Sequence, residues 1–256
     1  MFSFQREAGG IVDMVLLDWT RMGKLYCLAG VVRQNGELRV VRPLPATQRT
    51  APVRNIGWSP YLMDGHSRWD IFELLDPKPA EPSPPHLEDL WVRGLQSRHG
   101  SVDPALRHAI LQATQVLPNA PWFGAPLTTT RTAAYLSPRT GQRSLATLHI
   151  PAHVIRFTAS WRDGTPEADY RVGLEVPELQ GRSLPVKDHF LLQRAESASS
   201  TVWGRIEAMN RTVADMGADV AVRLGLSRSF QTAPGRAEGA CWLMADGFFS
   251  FNDPQC

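Results

Sequence analysis

Two segments near the ends of this chain share one form, and together they constrain its fold more than any other feature. The first is Leu17-Asp18-Trp19-Thr20-Arg21-Met22-Gly23-Lys24-Leu25-Tyr26-Cys27-Leu28-Ala29-Gly30, followed by Arg42-Pro43. The second is Val222-Arg223-Leu224-Gly225-Leu226-Ser227-Arg228-Ser229-Phe230, followed by Cys241-Trp242-Leu243. Each reads as strand, basic turn, strand. Each sets arginine beside an aromatic residue at a strand edge, the pairing by which β-barrels hold single-stranded nucleic acid.

The rest of the chain extends this β pattern. Ile11 to Asp18 is a buried-strand run, Leu25 to Arg33 a second strand, and Leu38 to Arg42 a third. Asn35-Gly36 between the last two is a hairpin signal. Thr47 to Gly65 reads as a loop, Arg68 to Leu75 as a strand, and Pro77 to Pro85, with five prolines, as an extended connector. His86 to Trp91 starts a short helix or strand. The clearest helix runs from Ser101 to Val116, capped by Ser101 or Asp103, opened by Pro104 and ended by Pro118. Later strands fit at 133–136, 145–150, 154–161, 170–176, 202–209 and 219–226. A short helix fits 185–195, and Asp246-Gly247 closes a final hairpin over 242–251. The expected fold is mainly β with a few helices: two OB-like Greek-key barrels packed together. The boundary falls in the Pro- and Gly-rich stretch after the helix, dividing 1–122 from 123–256.

Composition narrows the function classes. No apolar run reaches the roughly 18 residues needed to cross a bilayer, and no signal peptide pattern opens the chain. A soluble cytoplasmic protein with no membrane partner is expected. Net charge is only +2, yet arginine outnumbers lysine 24 to 3. Guanidinium forks bind phosphate and stack on bases, although a GC-rich codon bias produces the same excess. Three separated cysteines, Cys27, Cys241 and Cys256, form neither a disulfide framework nor a CxxC zinc motif.

The candidate nucleic-acid contacts are Arg21, Lys24, Arg42, Arg223 and Arg228 for phosphates, with Trp19, Tyr26 and Trp242 to stack on bases. A structural alternative places Trp19 in the core and pairs Arg228 with Glu88 or Asp89, tying the two halves together. His86, Glu88 and Asp89 form the one His-acid cluster, a structural group or a candidate site with too few ligands for a metal. His149 and His153 flank Pro151, which rules out the helical HExxH arrangement. There is no GxGxxG, P-loop or GxSxG motif, so no cofactor and no serine-hydrolase chemistry is expected.

The chain resembles the dual OB-fold domain proteins of bacteria and archaea. The resemblance rests on Thr20-Arg21-Met22-Gly23-Lys24 leading to Cys27-Leu28-Ala29-Gly30, on Asn35-Gly36 before Arg42-Pro43, on Pro84-Pro85-His86-Leu87-Glu88-Asp89, and on Leu224-Gly225-Leu226-Ser227-Arg228-Ser229-Phe230 before Cys241-Trp242-Leu243. The family's tryptophan before Arg42-Pro43 is missing, and Ser229 replaces its proline. The blocks occur in the family's order over nearly the whole chain, and 138–210 carries no family motif. The resemblance implies two OB-folds, a nucleic-acid or nucleotide ligand, and work in prokaryotic defence against phage or mobile DNA. Three functions follow. The first is binding of single-stranded nucleic acid or a nucleotide. The second is a protein-interaction module, with a partner in a defence system. The third is a nucleotide- or nucleic-acid-processing enzyme acting through His86, Glu88 and Asp89.

Overall fold

The computed structural model describes residues 10–52, 55–117, 120–161, 167–228 and 239–250. Pro118, Ser229, Phe230 and Cys256 lie outside the described residues. In chain order the strands are β1 (Ile11–Met22), β2 (Leu25–Gln34), β3 (Glu37–Pro45), β4 (Asp70–Leu75), β5 (Lys78–Pro79), β6 (Asp89–Val92), β7 (Gly94–Ser101), β8 (Thr128–Thr129), β9 (Ala134–Leu136), β10 (Leu145–Pro151), β11 (Ile155–Trp161), β12 (Ala168–Leu174), β13 (Ser183–Pro185), β14 (Asp219–Leu226) and β15 (Cys241–Ser250). The α-helices are α1 (Pro104–Ala113), α2 (His189–Ala198) and α3 (Val202–Asp215). The chain is mainly β, as its alternating patterns imply.

In the N-terminal half, Asn35 and Gly36 both take positive φ, the conformation a two-residue hairpin needs, and β1, β2 and β3 form an antiparallel meander. β4 returns antiparallel to the first half of β1. β6 then lies parallel to β3, and β7 lies antiparallel to β4. Only Arg93 separates β6 from β7, so one bent strand joins both ends of the ladder. Met14, Leu16, Leu28, Val32, Phe72 and Leu74 pack together on one side of it. On the other side Val15, Leu17 and Val31 pack under Ile110 and Leu111 of α1 and under Ala221 and Phe249 of the C-terminal half.

The C-terminal half repeats this connectivity. β10 turns through Ala152–Val154 into β11, and β11, β12 and β13 form a meander. After α2 and α3, β14 pairs antiparallel with β10, and β15 pairs antiparallel with β14. A parallel bridge from Val186 to Ala245 sets the end of β13 beside β15. In both halves the strand after the long connection is therefore antiparallel to the first strand. In both, the last strand runs parallel to the third.

Two expectations are corrected. Residues 202–209 belong to α3, not to a strand. Thr201 caps the helix by accepting from the Gly204 N–H, and Ile206, Met209 and Val213 form its buried stripe. The β-branched residues mimic a strand only over a short window. Asp246-Gly247 is not a hairpin turn either. Arg223 pairs with Gly247 and Leu224 with Ala245, which leaves Asp246 as the extra residue of a β-bulge inside one strand. The helix expected over 101–116 is α1, with Asp103 capping the Leu106 N–H. Cys27 and Cys241 are free thiols.

Candidate nucleic-acid interface

The conspicuous arginines lie at the seam between the halves. Arg42 is 3% exposed, and its Nε donates to Asp89 at 2.7 Å. Its Nη2 reaches Glu88 at 3.5 Å and donates to His86 Nδ1. Arg228 donates to the other oxygen of Asp89. Glu88 in turn accepts from the Ser144 hydroxyl. Two guanidinium groups thus face two carboxylates, and the pairing of Arg228 with Asp89 joins N-terminal and C-terminal residues.

His86 fits this network only as a neutral ring. Its Nε2 faces the Ser227 carbonyl at 3.1 Å, so that nitrogen carries the hydrogen and Nδ1 accepts from Arg42. Burial, then the positive charges of Arg42 and Arg228, hold its pKa down to about 2. Cys241 Sγ lies 3.9 Å from His86 Nε2, but burial pushes that thiol up to about 11. A thiolate–imidazolium pair needs both shifts reversed. Among the described residues, no group of three His, Cys, Asp or Glu side chains could hold a metal.

A second buried pair lies deeper. Arg223 has no solvent exposure, grips Asp18 through Nε and Nη2 at 2.6–3.1 Å, and donates to Thr147 Oγ1. Arg68 pairs with buried Asp188 and lies 4.5 Å from the centre of the Phe249 ring. Asp246 is the third carboxyl here. Burial, then repulsion by Asp18, raises its pKa well above the usual carboxylate range. Gly225 makes room for it: a Cβ there would stand 1.7 Å from Asp246 Oδ2. Gly225→Ala is expected to cost about 1–3 kcal/mol of stability by overpacking. Adding Asp246→Ala should recover most of that loss in chemical denaturation.

The expected contact residues therefore separate. Arg42 and Arg223 are corrected from phosphate ligands to buried ion-pair partners, because guanidinium groups committed to carboxylates inside the seam cannot reach a surface strand. Trp19 is also core, 4.0 Å from the His189 ring and edge-on to Tyr26. Arg21 makes a bidentate pair with Glu196 of α2, and its Nε donates to His189 Nδ1. Tyr26 is half-buried and paired through its backbone with Trp58. Lys24 is exposed on the β1–β2 turn. Trp242 is half-buried and packs on Tyr135 at 5.1 Å.

That last pair marks a different surface. Ile155, Phe157, Val172, Leu174 and Leu184 point into the core, so the alternate residues of β11, β12 and β13 form the outer face. Register places Arg156 opposite Gly173 and Thr158 opposite Arg171, with Ser183 on the far side of Gly173. Arg171 Nε donates to Ser183 Oγ at 2.8 Å, and its Nη2 donates to the Thr132 carbonyl. Arg182 Nε donates to the Thr130 carbonyl at 2.9 Å. The loop between β8 and β9 thus carries exposed Arg131 to the same rim. Tyr135 and Trp242 are cross-strand partners at this edge. Bonds to the Thr130 and Gln180 carbonyls orient the Arg182 guanidinium without cancelling its charge.

Sequence reasoning missed Arg131, Arg156, Arg171, Arg182 and Tyr135. One signal was available, since no Asp or Glu occurs between Asp103 and Asp163, a stretch that includes Arg131 and Arg156. Arg171 and Arg182 carry no comparable mark.

No protein-family model and no curated protein matches the chain. Among solved structures, it is similar to the tetrameric p202 HIN2 at 10% identity and a TM-score of 0.27, covering 95% of this chain and 93% of that one. It is also similar to a murine DNA-binding protein solved with double-stranded DNA, at 8% identity and a TM-score of 0.30, covering 93% and 96% of the two chains.

Proposed function

We propose that this protein binds single-stranded nucleic acid through two OB-like barrels of unequal role: the N-terminal one a scaffold, the C-terminal one the reader. The shared connectivity supports two barrels, since an OB-fold is a closed or partly open five-stranded Greek key. The fold's usual ligand surface is the outer face of its second and third strands. In the N-terminal half that side packs under α1, β14 and β15. In the C-terminal half it is open to solvent and carries Arg156 and Arg171 as well as Asp169. The observation that carries the reading is the rim where Arg171 and Arg182 bond the carbonyls of Thr132 and Thr130 on either side of exposed Arg131, in the loop that leads to Tyr135 and its partner Trp242. Guanidinium groups neutralise the backbone while the rings stack on bases. The resemblance to dual OB-fold domain proteins points the same way and extends the proposal to a defence role.

Fluorescence anisotropy with short single-stranded DNA and RNA tests it. Binding should weaken steeply with salt. The double variant Arg171→Ala, Arg182→Ala should lose roughly 10- to 100-fold in affinity and flatten the salt slope by about 1.4, at roughly 0.7 per single-strand phosphate contact. Absence of salt-sensitive binding to either strand at low salt would overturn the reading. A second reading, a protein-interaction module, draws on Trp161 and Trp203, exposed at 53% and 68%. It predicts a complex insensitive to both salt and nuclease.

A further inference from the structure

We infer that Gly173 is the floor of a subsite for one unpaired base, and that this subsite makes the face prefer single strands over duplex. The inference rests on the nucleic-acid reading above and adds the part of the ligand that is read.

Glycine inside a strand weakens it unless something must come close. At Gly225 the reason is internal, because Asp246 fills the space. At Gly173 no internal reason exists. Its φ is not positive, and an added Cβ would meet only the Arg156 carbonyl, at 3.8 Å, an ordinary contact. The fold would accept a side chain there, and the open space lies on the outer face. Three polar groups frame it. Arg156 stands opposite on β11, Ser183 opposite on β13, and Arg171 two residues back on β12 with its guanidinium drawn to Ser183.

Neighbouring strands lie about 4.8 Å apart, and same-face residues along a strand about 7 Å apart. A flat ring over Gly173 would have the Arg171 guanidinium beside it, held on Ser183, the cross-strand partner of Gly173, and so placed for a cation–π contact. The Ser183 hydroxyl stands at its edge, able to donate or accept. A nucleobase has the right shape and faces. A base in a duplex is stacked and paired, and cannot lie on this floor without leaving its helix.

The test is Gly173→Val, measured by anisotropy with a short oligothymidylate beside wild type. Valine suits a strand, so the melting temperature should hold. Affinity for the single strand should fall roughly 5- to 100-fold, the loss of one stacked base. The salt slope should stay the same, because no phosphate contact is removed. The wild-type protein with an abasic strand of equal length should show a larger loss, because the stacking on Tyr135 and Trp242 goes with it, a result independent of any folding defect in the variant. If wild type binds no strand, the nucleic-acid reading itself fails. If Gly173→Val binds the strand as tightly as wild type, the subsite is wrong, and if the abasic strand also binds equally well the face reads phosphates alone.

Discussion

Acidification is expected to destabilise this protein from about pH 6.5 downward, well above the range where ordinary carboxylates titrate. His86 is held down to about 2 and His189 to about 4, in both cases first by burial and then by arginine, Arg42 for one and Arg21 for the other. Below the ordinary histidine value of about 6.5 the unfolded chain takes up protons on both rings that the fold refuses. Each refused proton lowers stability by about 1.4 kcal/mol per pH unit. Asp246 acts in the opposite sense, because its carboxyl keeps in the fold a proton it surrenders when unfolded. While it does so, the net slope is that of one imidazole, a loss of about 3 kcal/mol between pH 6 and 4. That is a large part of a total stability of about 5–15 kcal/mol. Urea denaturation at pH 7.5, 6 and 4.5 measures it. Equal stability at all three would show that one of the two rings accepts its proton in the fold, the other being offset by Asp246. His86→Gln should remove most of the slope.

Breaking the Asp18–Arg223 pair from one side is expected to have the largest effect of any single substitution. Removing the carboxylate leaves a buried guanidinium hydrogen-bonded to one hydroxyl, with the buried Asp246 carboxyl the remaining acid near it, at a cost of about 3–5 kcal/mol. Arg223→Met should cost a similar amount by stranding Asp18. The double variant Asp18→Leu, Arg223→Met should lose much less, since buried pairs repay little beyond their own desolvation. A double-mutant cycle by chemical denaturation reads this directly. A strictly additive cycle would mean that the two residues do not depend on each other.

Local signals read correctly where one structure fits them: Asn35-Gly36, the Asp103 cap and the apolar runs of β1 and β2 each act over a few residues. Residues 202–209 did not, because a short apolar window of α3 suits a strand as well as a helix. What needed distant partners did not read. Nothing near Arg93 shows that 89–101 bends to join β3 to β4, and nothing near Asp246 shows that Gly225 makes room for a bulge. The arginines failed for a chemical reason. A guanidinium fork fits a carboxylate as well as a phosphate, so Arg42 and Arg223 look the same in sequence whether they face Asp89 and Asp18 or a nucleic acid. Tyr135 gave no sign of its place beside Trp242, because that pairing spans more than a hundred residues.

The covered face of the N-terminal sheet also sets a timetable for the growing chain. Val15, Leu17 and Val31 are made early, whereas Ala221 and Phe249, which pack on them, are made near the end. At roughly 5–20 residues per second, a ribosome needs on the order of 10–40 seconds to get from one group to the other. For that interval the nascent N-terminal sheet displays an apolar surface with only α1 to shield it. A holding chaperone is the natural occupant of that surface until β14 and β15 arrive.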